Sequence, residues 1–135
     1  MINLVAGAAA AAVLAAGAVN PDQFEGLASD SFAAWSYGYG SVKVTGSVRT
    51  LLVQTRYTTP TAFNGNPVPV AYSIHTLAID CAAKTTTFIN GDNYSASGVL
   101  LYAANPSAPT PWSDATPGLQ DFVTQVCATD WSKMQ

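Results

Sequence analysis

Residues 113–131 read Ser-Asp-Ala-Thr-Pro-Gly-Leu-Gln-Asp-Phe-Val-Thr-Gln-Val-Cys-Ala-Thr-Asp-Trp, and the fold turns on how that stretch is read. Thr116 is an N-cap residue and Pro117 suits the first turn, where a missing N–H costs nothing because no intrahelical acceptor exists. Leu119, Phe122, Val123, Val126 and Cys127 then recur at i, i+3, i+4, i+7 and i+8, one apolar stripe along a helix. Cys127 closes that stripe, so its thiol points at the core. The other cysteine, Cys81, ends the run 73–81, in which Ile74, Thr76 and Ala78 alternate with His75, Leu77 and Ile79 as in a well-buried strand. The convergence of a strand end and a helix core face on two thiols predicts a Cys81–Cys127 disulfide that staples the helix to one face of a sheet.

The composition bounds what such a domain can do. A chain of 135 residues is ordinarily one domain with a single modest core. Its 49% hydrophobic content excludes disorder, and its 10% charged content leaves a surface built from Thr, Ser, Asn, Gly and Pro, commoner outside the cytoplasm. The net charge is −3, and Lys43, Arg49, Arg56, Lys84 and Lys133 are scattered, so no nucleic-acid groove is expected. Two distant cysteines and the single His75 match no metal-site spacing, and a structural disulfide in an exported protein is their expected use. No cofactor is implied.

Residues 1–19 carry no charge and are nearly all Ala, Gly, Val and Leu. They read either as a signal peptide with Ala16-Gly17-Ala18 at the cleavage site, or as a retained transmembrane helix that associates the protein with a membrane. Residues 20–40 read as a connecting segment, with Phe24, Leu27, Phe32 and Trp35 spaced for a short helix. From 41 to 135 the pattern predicts an antiparallel sheet plus the C-terminal helix: strands at 42–44, 48–58, 73–81 and 85–90, a turn at Asn90-Gly91-Asp92, and a hairpin of 93–96 and 99–103 about Ser97-Gly98. The fold class is α+β, mainly antiparallel sheet, with an N-terminal apolar helix.

Several of these landmarks also form a family pattern: Asp80-Cys81, Thr85-Thr86-Thr87-Phe88, Tyr94 and Gly98, Pro111-Trp112, Pro117 and Val126-Cys127. On them, residues 42–127 resemble the surface-adhesin protein E family of bacterial envelope proteins. The resemblance implies a curved antiparallel sheet with a C-terminal helix tied by a disulfide to its concave face, an envelope location and, after the family's founding role, binding of host proteins.

No catalytic residue emerges. His75 and Asp80 lie five positions apart on one strand and so face opposite sides, and no G-x-S-x-G elbow occurs. Asp114 and Asp121 suit the N-terminal half of a helix without any catalytic role. Asn93-Tyr94-Ser95 is a sequon, and Trp112 between prolines reads as a core plug. Tyr37, Tyr39 and Trp131, outside the expected regular elements, are the candidates for partner contact. The leading expectation is a non-enzymatic exported protein of the periplasm or cell surface that acts by protein–protein contact. The alternatives are an accessory subunit of a membrane protein complex, anchored through residues 1–19, and a hydrolytic enzyme.

Overall fold

A computed structural model describes residues 23–63 and 65–133. The expected N-terminal helix, and with it the choice between signal peptide and membrane anchor at residues 1–19, lies outside them. The described chain runs β1 (Phe24–Ser29), β2 (Ala33–Gly38), β3 (Lys43–Thr45), β4 (Val48–Thr61), β5 (Val70–Asp80), β6 (Thr85–Tyr94), β7 (Leu100–Ala103), β8 (Thr110–Pro111) and α1 (Pro117–Ala128), with 3-10 turns at Trp112–Asp114 and Trp131–Lys133. All strands join one antiparallel sheet in the order β1-β2-β4-β5-β6-β7, with β3 also on β4 and β8 also on β6.

Strand alternation sends one set of side chains to the face that α1 covers. Cross-strand register arranges that inner face in rows. Val44, Arg49, Ile79 and Thr86 stand opposite one another at the disulfide end, followed by Leu51, Leu77 and Phe88, then by Tyr37, Val53, His75 and Gly91. A fourth row, Trp35, Thr55, Ser73, Asn93 and Tyr102, is mostly polar. Phe122, Val123 and Val126 of α1 lie fully buried against Leu51, Val53, Leu77 and Ile79, and the Cys81–Cys127 disulfide is present with the two Cα atoms 5.9 Å apart. On the outer face, Arg56, Tyr72, Tyr94 and Leu100 are opposite one another. The Arg56 guanidinium lies 4.5 Å over the Tyr72 ring, which stacks on Tyr94 at 5.0 Å, a ladder of the kind that stabilises sheets.

Two local expectations are corrected. Residues 24–38 hold no helix; they are β1 and β2, because Ala33, Trp35 and Tyr37 alternate inward with Ala34 and Ser36 outward, a period of two that overrides the looser aromatic spacing. The sheet therefore takes in strands from the segment read as a connection. Asn90-Gly91-Asp92 is no turn either: β6 runs through it, with Ile89 skipped in the register as a bulge. Gly91 is there for space, since a Cβ would come within 2.8 Å of His75 Nδ1 and 2.5 Å of the Ile74 carbonyl oxygen.

The start of α1 depends on a residue far away in sequence. Thr116 makes no side-chain cap hydrogen bond; instead the Gly118 N–H donates to Asp30 Oδ2 at 2.8 Å, while Asp30 Oδ1 accepts from Phe32 and Ala33 in the β1–β2 turn. Burial pushes the Asp30 carboxyl up, but the adjacent Thr116 hydroxyl and these three N–H donors outweigh it and hold the group below the usual carboxylate range. Gly118 permits the approach, because a Cβ would meet Trp35 and Asp30 at 2.6 and 2.8 Å. Asp30→Ala leaves three N–H groups without their acceptor and is expected to cost about 1 to 3 kcal/mol in denaturant melts. A variant as stable as the parent would mean that water caps α1 equally well.

Candidate contact cleft

The tight β3–β4 hairpin turns at Gly46, whose φ of +59° is the left-handed conformation glycine adopts without strain. The hairpin register sets Val44 opposite Arg49, and Arg49 falls in phase with Leu51 and Val53 on the inner face. The facing wall comes from the chain after α1. Thr129 Oγ1 donates to the Gln125 carbonyl at 2.8 Å, and Trp131 Nε1 donates to the Val126 carbonyl at 2.8 Å, so the indole is drawn under the end of the helix. Asp130 closes the next turn by accepting from Ser132 N–H and Oγ at 3.2 and 2.6 Å. Between hairpin and turn lies a cleft of about 280 Å3 lined by Val44, Arg49, Thr129, Asp130, Trp131 and Ser132.

The three aromatics singled out in the sequence meet beside this cleft. Tyr37 packs edge-on to Trp131 at 5.2 Å and to Tyr39 at 6.1 Å. Their environments differ, however. Tyr37 lies inside β2 and is buried, and Trp131 is only 5% exposed, so both are core residues first; Tyr39 is 59% exposed and offers its ring to solvent. The Glu25 carboxylate lies beside both phenols. Burial and Glu25 raise the pKa of Tyr37, whereas hydrogen bonding to Glu25 and its charge raise that of Tyr39.

In the sequence Arg49 reads as one of five scattered charges, and the signal that sets it apart is a charged residue in phase with Leu51 and Val53 on an alternating strand. Its Nη1 donates to the Gly46 carbonyl at 3.2 Å, while its Nε is buried with no hydrogen-bond acceptor. The nearby acid makes no salt bridge to it: Asp130 Oδ1 accepts from Ser132, and Oδ2 lies 3.9 Å from Lys133 Nζ.

The other titratable and polar groups are occupied structurally. Asp80 accepts from Ser47 Oγ and from the Ala82 and Ala83 N–H groups, which hold its carboxyl below the usual range. Ser73, fully buried, donates to Asn93 Oδ1 at 2.5 Å and contacts Tyr57 OH at 3.3 Å, so neither Ser73 nor the sequon asparagine is presented to a reagent. Trp112 is half-buried against the core, and Asp114 and Asp121 are exposed. Among the described residues no group of three or more His, Cys, Asp or Glu side chains is placed to hold a metal ion, and no helix is long and apolar enough to cross a membrane.

His75 packs edge-on to Phe88 at 4.9 Å, and burial lowers its pKa from 6.5 to about 4. The unfolded chain therefore binds this proton more tightly than the folded one. Stability is complete above about pH 6.5 and is lost as the pH falls toward 4, by up to about 3 kcal/mol. Asp92, raised by burial, acts in the opposite sense. Urea melts at pH 7 and 4.5 should thus show a fall in the parent that is largely absent in His75→Gln; parallel pH profiles would rule out the buried neutral imidazole.

No family model matches this chain, and no curated protein matches it.

Proposed function

We propose that the protein is a non-enzymatic, exported cell-envelope binding module that works through protein–protein contact at the cleft between the β3–β4 hairpin and the C-terminal turn. The observation that carries this reading is a cation without a salt bridge, Arg49, in a cleft whose wall residue Trp131 connects through Tyr37 to the exposed ring of Tyr39. Arg and Tyr are enriched among the residues that dominate contact energies. Export is supported by the single disulfide with no free cysteine among the described residues, a use of cysteine typical of oxidising compartments, and by the resemblance to surface-adhesin protein E. The second reading, an accessory subunit of a membrane complex, would place the same cleft against a membrane-embedded partner.

A photo-crosslinking amino acid placed at Tyr39 in the producing cells should give a discrete adduct, while the same group at exposed Val68, at the far end of the β4–β5 hairpin, should not. Equal labelling from both positions, or recovery of the protein in the cytoplasm with free thiols, would overturn the proposal.

A further inference from the structure

Arg49 has two of its three guanidinium nitrogens closed to a ligand and one open. Nη1 is bonded to the Gly46 carbonyl and Nε is shut off from solvent, which leaves Nη2 as the nitrogen that an acceptor entering the cleft can reach. A charged N–H there makes its strongest hydrogen bond to an ionised acceptor such as a carboxylate. Around the cation the cleft is apolar on one side, with Val44 46% exposed at the mouth and the Trp131 indole below. At about 280 Å3 it falls just under the roughly 300 to 1,000 Å3 of pockets that enclose whole small molecules, so it is sized for the end of a chain.

We propose that this cleft captures the C-terminal carboxylate of a partner polypeptide that ends in an apolar residue. Arg49 meets the carboxylate through Nη2, and exposed Val44, with the edge of Trp131 that lines the cleft behind it, receives the terminal side chain. Asp130 lines the same cleft but is turned toward Ser132 and Lys133, so Arg49 is left without a salt bridge to it. Capture of a C-terminal carboxylate is a recurrent mode of peptide binding, commonly through backbone N–H groups; here the donor is the Arg49 guanidinium. The inference rests on the reading of this cleft as the contact site and adds the chemistry of its occupant.

The test uses the intact protein and three probes followed by NMR: the tripeptide acetyl-Ala-Ala-Leu with a free carboxylate, the same peptide as its C-terminal amide, and inorganic phosphate. The acid should shift the Arg49 Nε–Hε and Val44 methyl signals saturably, and the amide and phosphate should bind at least about tenfold more weakly. Arg49→Gln should weaken the acid by a similar factor. Val44→Glu, a change at an exposed strand position, sets a carboxylate before Arg49 and should abolish binding while the remaining spectrum shows an intact fold. Equal affinity for acid and amide, tighter binding of phosphate, or shifts confined to residues outside the cleft would each overturn the proposal. An adduct from Tyr39 in cells together with a failed peptide titration would remove only the carboxylate assignment and leave the contact site standing.

Discussion

Reduction of the Cys81–Cys127 disulfide is expected to cost about 4 kcal/mol of stability. The two residues are 46 positions apart, and in the chain-entropy account a loop of that length, once opened, returns roughly that much freedom to the unfolded chain. The native structure should feel the loss at a defined place. Cys127 ends the apolar stripe of α1, and just beyond it Trp131 is held beneath the helix by its bond to the Val126 carbonyl. Without the crosslink the C-terminal turn is held by that indole and by the Thr129 hydroxyl bond to the Gln125 carbonyl, so the cleft wall should loosen before the sheet melts. Urea melts of the oxidised protein, the reduced protein and the Cys81→Ser/Cys127→Ser double variant check this. A loss under about 1 kcal/mol would show that packing alone holds α1 to the sheet.

Phe122→Ala should cost about 3 to 5 kcal/mol, the range for removing a large side chain from a core that cannot close around the gap. Phe122 is 0% exposed and lies in the same cluster as Val123, Val126, Leu51, Leu77 and Ile79. Thr124, two positions on, is exposed, and Thr124→Ala should change stability by less than about 0.5 kcal/mol. Gln120 is a less neutral control than its helical position implies, because its Nε2 donates to the Ala115 carbonyl at 2.9 Å and helps to close the first turn. Similar losses for Phe122→Ala and Thr124→Ala in thermal melts would mean that the helix packs on the sheet with another face.

Much of the fold was legible because it is local and periodic. The apolar stripe of α1 and the alternation of β5 follow from repeats of about 3.6 and 2, and the two cysteines terminate those patterns. The aromatic candidates Tyr37, Tyr39 and Trp131 were also visible, and the structure places them together, but which of them faces water was not. Tyr37 and Trp131 are consumed by the core and Tyr39 is left outside, a division made by α1 folding back over β2. Arg49 was passed over as one of several scattered charges because its position matters only once the inner face is known.

The sequence by itself determined the helix and its phase, the central strand and the pairing of the two cysteines. Only the tertiary structure decided that residues 24–38 are strands, that Gly91 makes room for His75, that Asp30 caps a helix begun by Pro117, and that Arg49 meets Trp131 across a cleft. The physical reason is common to all four. Each depends on atoms brought together across strand pairings or across tens of residues of chain, where burial and hydrogen-bond satisfaction override what neighbouring residues prefer, and no local pattern encodes which distant group will arrive.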